Sequence, residues 1–248
     1  MPDRDHEPGV ALVVGGSGSV GSEVVRRLCH AGWTVVATSR SGKGNDGEGE
    51  GNGGGKTIWV EFDALREESA QAVGQVLAGL GALRLVAFCQ GAGSGKKPIA
   101  ASPVHEFTLC FAVNVIGLVA IWQVIHERVR RDRARVVVLS SDAARSSGAG
   151  NGPYSAAKAA LESAAVTLAR EEAQFGVRVN VVAPTIIDNQ EGRRAVCAKG
   201  VSDVDAYFRG LAWQRGLTNA EVADVVITVG TEAGWAYLTG QTIRLAAV

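Results

Sequence analysis

The stretch VALVVGGSGSVG at residues 10–21 places an apolar run directly before a glycine-rich turn. Its first five residues are all apolar, a pattern typical of a short strand that is buried on both faces. Gly16, Gly18 and Gly21 have the spacing G-x-G-x-x-G, and helical periodicity over Ser19–Ala31 begins within it. Glycines permit a tight turn and let a pyrophosphate approach the backbone, where the N-terminus of the helix offers N–H donors. The stretch therefore predicts a strand, a turn and a helix that bind a dinucleotide.

Apolar runs alternate with segments of helical periodicity along the rest of the chain. Strands are predicted at Val10–Val14, Thr34–Thr38, Thr57–Phe62, Leu85–Phe88, Arg135–Leu139, Val177–Ala183 and Thr242–Leu245. Helices are predicted at Ser19–Ala31, Glu67–Leu80, Val104–Arg131, Pro153–Phe175 and Ala220–Glu232. Apolar strands that alternate with helices are typical of a parallel sheet covered on both faces. We therefore predict an α/β fold in which residues 1–248 form a single domain around a three-layer, Rossmann-type doubly wound parallel sheet.

The composition excludes several classes of protein. Hydrophobic residues make up 46% of the 248, enough for a sizeable core and too many for a disordered chain. Lys+Arg and Asp+Glu number 25 each, and nucleic-acid binding needs a surplus of cations, so no nucleic-acid partner is predicted. The four cysteines are widely spaced without a metal-binding pattern, so we expect free thiols and no metal site.

The N-terminus and the longest apolar stretch bear on localisation. Residues 1–9 form a polar tail without the apolar core of a signal peptide. The longest apolar stretch, 109–125, contains Asn114 and Gln123 and is too short for a convincing membrane span. We therefore expect a soluble, cytoplasmic protein that does not bind a membrane.

Residues 41–55 interrupt the alternation of strands and helices. Eight of these 15 residues are glycine and none is apolar, although they lie between two strands that a helix would normally connect. We predict a flexible loop in place of that helix. A tolerated surface insertion and a mobile lid over the cofactor are both open interpretations.

The end of the second predicted strand indicates which dinucleotide is bound. In NAD-binding units an acidic residue about 20 positions after the glycines binds the ribose 2′-hydroxyl. Here Arg40 stands 19 residues after Gly21, and Ser39 precedes it. A guanidinium beside a hydroxyl suits a 2′-phosphate, so NADP(H) is favoured, with a solvated surface arginine as the alternative. Asp63, just past the third strand, is expected either to bind the adenine amino group or to act as an N-cap-like residue.

Four polar residues are candidates for chemistry on a bound ligand. Tyr154 and Lys158 form Y-x-x-x-K, a spacing that places both on one face of a helix. A nearby ammonium stabilises phenolate and lowers the pKa of a tyrosine from its usual value of about 10. Ser141 follows the fifth predicted strand, at the edge where ligands bind an open parallel sheet. Asn114 lies in a very apolar helix, where an unpaired polar side chain is costly.

Several motifs together carry a resemblance to a known family. They are the glycine-rich turn at 15–21, FAVNVIG at 111–117, LSS at 139–141, YSAAK at 154–158, RVNVVAP at 178–184 and TGQTI at 239–243. From Val10 to Leu245 the chain resembles the compact, single-domain branch of the short-chain dehydrogenase/reductase family. The catalytic quartet of that family maps onto Asn114, Ser141, Tyr154 and Lys158.

The resemblance implies a mechanism and a function. Tyr154 would protonate the oxygen of a bound carbonyl while hydride is delivered from NADPH to its carbon, and Ser141 would polarise that oxygen. Lys158 would bind the nicotinamide ribose and keep Tyr154 acidic, and Asn114 would fix a water that links Lys158 to solvent. The function implied is an NADPH-dependent carbonyl reductase (a ketoreductase) acting on a small organic or polyketide-like ketone of secondary metabolism. The alternatives are a catalytically silent NADP-binding sensor or regulator, an NADP-dependent alcohol dehydrogenase and an imine reductase.

The cofactor is expected to contact the glycine-rich turn and the residues that follow the strands. The expected contacts are Gly15, Ser17, Gly18, Ser19, Val20, Gly21, Ser39, Arg40, Asp63, Ala64, Gln90, Gly91, Tyr154, Lys158, Pro184, Ile187 and Asn189. The sequence departs from the family pattern at Ser19, in the middle glycine position of G-x-x-x-G-x-G, and at FCQG, 88–91, in place of Asn-Asn-Ala-Gly. It also departs at Thr185 after Pro184, at Asn189 in a usual threonine position, and in the terminal RLAAV. None of these changes removes a residue of the quartet.

Residues 186–217 are expected, by the resemblance, to form a substrate lid. Tyr207, Phe208 and Trp213 suit a moderately large or hydrophobic carbonyl compound, and a packing role is equally open. The charges of this segment nearly cancel, so no charged substrate is demanded.

Family members pair the helix predicted at 104–131 and the Tyr154-bearing helix across a subunit interface, which implies a homodimer or homotetramer. Five arginines between 128 and 135 are expected to form a solvated turn that complements the helix dipole. Docking of an acyl carrier protein on these arginines is the alternative.

Overall fold

Seven strands form one parallel sheet in the computed structural model of the protein, which describes residues 8–44 and 54–245. The strands span Val10–Val14 (β1), Thr34–Ser39 (β2), Lys56–Glu61 (β3), Leu83–Phe88 (β4), Arg135–Leu139 (β5), Arg178–Pro184 (β6) and Thr242–Leu245 (β7). Their order is β3-β2-β1-β4-β5-β6-β7, and every pairing is parallel. The order runs outward in both directions from the β1–β4 pair, so the predicted doubly wound sheet is confirmed.

Nine α-helices occur in the described residues. They span Ser19–His30 (α1), Ala70–Ala78 (α2), Val104–Phe111 (α3), Gly117–Asp132 (α4), Ala143–Ser146 (α5), Gly152–Glu172 (α6), Gln190–Cys197 (α7), Val204–Arg209 (α8) and Asn219–Thr231 (α9). The helix predicted over 104–131 contains a π-helical turn, Ala112–Ile116, between α3 and α4. The short helices α5, α7 and α8 have too few turns for periodicity to reveal them, and the sequence did not predict them.

Helices cover both faces of the sheet in a single α/β domain. On one face, α1 and α9 contribute Val24 and Val226 to a buried cluster. On the other face, α2, α4 and α6 contribute Leu77, Ile121 and Leu161 to a second cluster. Successive residues of β1 point alternately into the two clusters, which explains why its sequence is apolar throughout rather than alternating.

The strand order reverses between β1 and β4, and this fixes the place of the site. The connection after β1 leads to β2 on one side, and the connection after β4 leads to β5 on the other. Ligands of open α/β sheets bind in the crevice that this reversal leaves at the carboxyl ends of the strands. The glycine-rich turn, Gln90, Gly91 and Ser141 all follow strands at this edge.

Two predictions fall partly on residues that the structure does not describe. Residues 1–7 of the predicted polar tail and residues 45–53 of the predicted loop lie outside the described part of the chain. The structure does show that β2 and β3 pair directly, with Thr34 opposite Lys56. The flexibility of residues 41–55 stays a prediction.

One helical stretch in the described residues, 104–132, is long and apolar enough by length and composition to cross a membrane. Its α4 part buries Ile121, Ile125 and Val129 against the sheet. The stretch is therefore a partly buried core helix of the fold.

Candidate active site

The turn after β1 requires glycine at positions where no side chain fits. Gly15 has a φ of +81°, and a Cβ there would lie 2.6 Å from the Cα of Gln90. A Cβ on Gly21 would lie 2.1 Å from the carbonyl oxygen of Gly15. The N–H of Gly15 donates to Thr38 Oγ1 at 3.0 Å, which fastens the turn to β2. The turn thus presents bare backbone to the crevice.

The N-terminus of α1 opens on the same crevice. Gly18 is the N-cap, so the helix begins without a side-chain cap. Ser17 and Gly18 are exposed, whereas Val20 points into the core. Uncapped N–H groups and the helix dipole favour an anion. These residues therefore fit the phosphates of a dinucleotide.

One carboxylate reaches this turn from the predicted lid. Ser19 Oγ donates to Glu191 Oε2 at 2.9 Å, and Glu191 is exposed in the first turn of α7. The contact joins the predicted phosphate-binding turn to the segment 186–217. The sequence contained no signal for it, because 172 residues separate the two partners.

Arg40 and Ser39 differ in their availability to a ligand. Arg40 is exposed at the carboxyl end of β2 and forms no ion pair with a carboxylate in the described part of the chain. Ser39 is buried, and its hydroxyl donates to the carbonyl of Lys43 at 2.7 Å and accepts from the N–H of Lys43 at 3.0 Å. The guanidinium is therefore free for a phosphate, whereas the hydroxyl of Ser39 stabilises the turn after β2.

Asp63 stabilises the turn after β3. Its Oδ1 accepts the N–H of Leu65 at 3.0 Å, and its own N–H donates to Ser69 Oγ at 3.0 Å. The predicted N-cap role is wrong, since Arg66 and Ser69 are the N-caps of the helical segments that follow, and an adenine contact stays a prediction. The next residue, Ala64, is buried beside Gly117, the first residue of α4.

Asn114 lies in the π-helical turn and is almost fully buried, with 1% exposure. Its Nδ2 donates to the carbonyl of Cys110 at 2.8 Å and to that of Ala92 at 3.0 Å. Its Oδ1 has no hydrogen-bond partner in the described residues. A buried, unpaired carbonyl oxygen requires a donor from a ligand or a water.

The segment after β4 borders this orphaned oxygen. A Cβ on Gly91 would lie 3.2 Å from Asn114 Oδ1 and 3.6 Å from Lys158 Nζ, so both atoms face the same small space. Gln90 Nε2 donates to the carbonyl of Val113, also in the π-helical turn, at 2.9 Å. This arrangement fits the water that was expected between Asn114 and Lys158.

Ser141, Tyr154 and Lys158 come together at the carboxyl end of β5. Lys158 is buried, and its Nζ donates to the carbonyl of Leu139 at 3.0 Å and lies 5.8 Å from the centroid of the Tyr154 ring. Ser141 Oγ accepts the N–H of Ala143 at 3.2 Å, and the Ser141 side chain lies near enough to Tyr154 to affect the pKa of the phenol. All four residues of the predicted quartet therefore lie at one end of the crevice.

Burial dominates the ionisation of the Tyr154–Lys158 pair. It raises the pKa of Tyr154, and the nearby Ser141 hydroxyl opposes this change. It also lowers the pKa of Lys158 to about 8, opposed by Cys89 and Glu162. The expected lowering of the Tyr154 pKa by Lys158 is therefore absent in the chain alone, because loss of water disfavours both phenolate and ammonium.

A polar network anchors the residues on either side of Ser141. Ser140 Oγ donates to Glu162 Oε1 at 2.9 Å. Arg244 of β7 lies 3.5 Å from Glu162 Oε2 and 3.6 Å from Asp142 Oδ1. Sequence reasoning missed this network. Glu162 follows Lys158 by four residues, as Lys158 follows Tyr154, and this helical spacing was the available signal.

Sequence reasoning also missed a second ammonium near Tyr154. Lys96 Nζ lies 5.7 Å from the centroid of the Tyr154 ring and donates to Asn151 Oδ1. Lys96 belongs to the irregular segment between β4 and α3, so neither spacing nor periodicity connected it with the site.

Pro184, the last residue of β6, and the residues that follow it have structural partners. The carbonyl of Pro184 accepts a backbone N–H from the segment after β5 at 2.9 Å, and Ile187 forms an isolated bridge with the end of the predicted lid. Asn189 caps α7, since its Oδ1 accepts the N–H of Gly192 at 2.8 Å and its Nδ2 donates to Asn219 at 2.8 Å. A contact of these residues with the nicotinamide stays a prediction.

The predicted lid contains α7 and α8. Phe208 is buried, with the Tyr207 ring edge-on at 5.5 Å and the Arg193 guanidinium over it at 5.3 Å. Arg193 also pairs with Asp188 at 2.5 Å. Trp213 is 66% exposed. Phe208 therefore has the packing role, and Trp213 is the aromatic side chain left open.

The arginines at the end of α4 are more engaged than expected. Arg128 donates to the carbonyls of Leu77 and Leu80, each at 3.0 Å. Arg130 pairs with the buried Glu172 at 2.7 Å, and Arg135 is itself buried. The predicted solvated turn is thus wrong for these three arginines, because their donors hold neighbouring elements together.

No group of three or more potential metal ligands of the His, Cys, Asp or Glu type comes together within residues 8–44 and 54–245. Cys29, Cys89, Cys110 and Cys197 are all free thiols, as predicted.

Comparison with known proteins agrees with this geometry. The profile of the short chain dehydrogenase family matches residues 9–196. The L-fucose dehydrogenase of Oryctolagus cuniculus is 25% identical over 71% of this chain, and the match spans 61% of that protein. The 3-oxoacyl-[acyl-carrier-protein] reductase FabG of Aquifex aeolicus is 27% identical, with 95% of each chain covered. The solved structure of a short-chain type dehydrogenase/reductase from Mycobacterium ulcerans superposes with a TM-score of 0.84 at 22% identity, covering 96% of this chain and 88% of that one.

Proposed function

Because the chain belongs to the short-chain dehydrogenase family, we propose that it is an NADPH-dependent carbonyl reductase that converts a ketone to an alcohol. Family membership makes it an oxidoreductase of carbonyl and alcohol groups with a nicotinamide cofactor. The observation that carries the finer proposal is the meeting of Ser141, Tyr154, Lys158 and the unpaired Asn114 Oδ1 at the carboxyl edge of the sheet.

Tyr154 is the proton donor in the proposed reaction. Its hydroxyl donates to the carbonyl oxygen of the substrate as negative charge develops there, and Ser141 stabilises the same oxygen by a hydrogen bond. The phenol of Tyr154 is protonated at neutral pH, as reduction requires, and burial makes it a weaker acid than an ordinary tyrosine. Alcohol oxidation would need phenolate instead. A bound NADPH would supply the hydride.

Lys158 and Asn114 return the proton to Tyr154. Lys158, whose pKa is about 8, exchanges a proton with solvent more readily than an ordinary lysine. A water between its Nζ and Asn114 Oδ1 would satisfy the unpaired oxygen and lead the proton out. Lys158 would also hold the ribose of the cofactor, as family resemblance implies.

The glycine-rich turn and Arg40 would hold the other half of the cofactor. The uncapped start of α1 and the bare backbone at Gly15 and Gly21 suit the pyrophosphate. The guanidinium of Arg40, which pairs with no carboxylate among the described residues, suits the 2′-phosphate of NADPH over the free hydroxyl of NADH.

Tyr154→Phe tests the proposed proton donor. A panel of ketones is screened with the wild type by NADPH absorbance, and the best substrate is used for the variant. The variant should lose at least about a hundredfold in kcat, the usual contribution of general acid catalysis, while binding NADPH with unchanged Kd. If the wild type binds NADPH but reduces no ketone, the silent sensor is favoured. Turnover only of alcohols with NADP⁺ would support the dehydrogenase alternative, and turnover only of imines the imine reductase.

Arg40→Ala tests the choice of cofactor. The wild type should bind NADPH well ahead of NADH, by at least about tenfold for a charge-assisted contact with the 2′-phosphate. The variant should lose this preference by weakening NADPH alone, as measured by fluorescence titration. Equal binding of both cofactors by the wild type would contradict the role of Arg40.

We propose the same assembly for this chain that its family resemblance implies, a homodimer or homotetramer. Leu109, Ile116 and Val119, spaced by seven and three residues along the α3–α4 stretch, are between 39% and 42% exposed. Apolar side chains repeated along one helix suit burial against a second copy. Light scattering of the wild type and of a Leu109→Lys/Val119→Lys variant tests this, and a monomeric wild type would contradict it.

A further inference from the structure

Lys96 brings a positive charge to the reactive end of the crevice that the proposed mechanism does not use. It is half-buried in the segment between β4 and α3, and its Nζ lies 5.7 Å from the centroid of the Tyr154 ring. Lys158 lies at nearly the same distance, 5.8 Å, and has the mechanistic role. Lys96 is therefore a second cation beside the group that meets the substrate carbonyl.

Buried side chains at the start of α6 hold the ammonium of Lys96 in place. It donates to Asn151 Oδ1, and Asn151 Nδ2 donates in turn to Ser155 Oγ at 3.1 Å. Asn151 and Ser155 are both buried, so the amide oxygen is fixed towards Lys96. A lysine ammonium has three N–H donors, and Asn151 uses one of them. The remaining donors are available to a ligand.

No carboxylate in the described part of the chain forms an ion pair with Lys96. Glu106, in the first turn of α3, instead accepts the N–H of Gly95 at 2.9 Å. Lys199, just after α7, contributes a like charge, and the pKa of Lys96 is lowered by burial and by Lys199. A partly buried cation without a counter-ion is costly, and an anionic ligand would remove that cost.

We propose that Lys96 binds an anionic group of the substrate, so that the compound reduced at Tyr154 is a carbonyl compound carrying a carboxylate or a phosphate-type oxyanion. This rests on the proposed function, because Tyr154 is taken to meet the carbonyl. The composition of the lid segment alone demands no charged substrate. The cation comes instead from the segment after β4, which only the fold brings to Tyr154.

Lys96→Gln is the variant that tests this role. The glutamine amide still offers a donor to Asn151 but has no charge, so the start of α6 keeps its support. Lys97→Gln is the matched control, since Lys97 is the exposed neighbour in the same segment and forms no ion pair in the described residues. Circular dichroism and the Kd for NADPH should be the same in the wild type and both variants.

The kinetic experiment compares 4-acetylbenzoate and 4-acetylphenyl phosphate with the uncharged methyl 4-acetylbenzoate. The wild type should prefer one of the anions in kcat/KM. Lys96→Gln should raise KM for that anion about ten- to a hundredfold, as expected for one charge-assisted contact, and leave the ester and kcat unchanged. Lys97→Gln should change nothing. An equal loss for anion and ester, with a shifted pH profile of kcat, would overturn the proposal, because Lys96 would then act on Tyr154 instead.

A binding experiment tests the same residue without turnover. Calorimetry measures benzoate and phenylphosphonate binding to the NADPH-loaded enzyme, and the tighter of the two identifies the carboxylate or the phosphate class. Loss of that binding in Lys96→Gln supports the proposal even if no ketone is reduced, in which case the carbonyl reductase function alone fails. Absence of binding, or equal binding by the variant, overturns the proposal and leaves the reductase function standing if the ester is reduced.

Discussion

Replacing Glu191 by glutamine should tighten the binding of NADPH. The carboxylate of Glu191 accepts the hydroxyl hydrogen of Ser19, the first residue of α1, at 2.9 Å. The proposed pyrophosphate would occupy the same region and would carry negative charge. Glu191 therefore competes for Ser19 and repels the cofactor, whereas a glutamine retains an acceptor for Ser19 and removes the repulsion.

The magnitude follows from the charge and its surroundings. Two unit charges about 6 Å apart interact by about 0.7 kcal/mol in water and by about 3 kcal/mol at an effective dielectric constant of 20. Glu191 is exposed, so the lower value applies more closely and salt reduces it further. We expect the Kd for NADPH to fall about three- to tenfold at low ionic strength and the gain to shrink as salt is added.

Fluorescence titration with NADPH at about 20 mM and about 300 mM salt measures this effect. Glu171→Gln is the control, because Glu171 is an exposed acid at the other end of α6 from the site. An unchanged or weaker Kd for Glu191→Gln at low salt would refute the placement of the pyrophosphate at Ser19. A gain equal to that of the control would show that only net charge matters.

Two further substitutions test the turn and the buried lysine. Gly21→Ala should lower the free energy of unfolding by at least about 2 kcal/mol and abolish cofactor binding, because its Cβ would lie 2.1 Å from the carbonyl oxygen of Gly15. Gly93→Ala, where a Cβ meets nothing within 4 Å, should leave urea unfolding unchanged, and equal effects of both would contradict the packing argument. Lys158→Met should stabilise the cofactor-free chain by about 3 kcal/mol at pH 7. Burial lowers the pKa of Lys158 from 10.5 to about 8, and a methionine carries no charge to desolvate. Between pH 8 and 10.5 the unfolded chain binds more protons at Lys158 than the folded chain, so the stability of the wild type rises as the pH rises. The difference in stability between Lys158→Met and the wild type should therefore shrink over this range. A difference that does not depend on pH would refute the buried, charged state of Lys158.

Much of the fold could be predicted because it depends on local patterns. The run Val10–Val14 is apolar at every position since it is buried on both faces, and its bounds agree with the structure. Arg135–Leu139 and Thr242–Leu245 agree as well. The helix over 104–131 was predicted without its π-helical turn, because that turn depends on the partners of Asn114 and Val113 rather than on periodicity.

The candidate site could be predicted where residues are spaced by one helical turn or where they directly follow a strand of the sheet. Tyr154 and Lys158 are one helical turn apart, and Ser141 follows a strand, so their meeting followed from the predicted elements. Glu191 and Lys96 were missed because they approach the site from irregular or short segments with no period of their own.

The sequence by itself determined the class of fold, because hydrophobic period and glycine spacing are local properties of the chain. It also predicted a phosphate-binding turn from the glycine spacing and, through the family resemblance, a catalytic quartet. Only the tertiary structure decided the charge and solvation of the site. Burial sets the pKa of Tyr154 and Lys158, and the packing of the segment after β4 against α6 places Lys96 beside Tyr154. The loss of water around a side chain and the charges beside it depend on residues that are distant in sequence, so no local pattern can encode them.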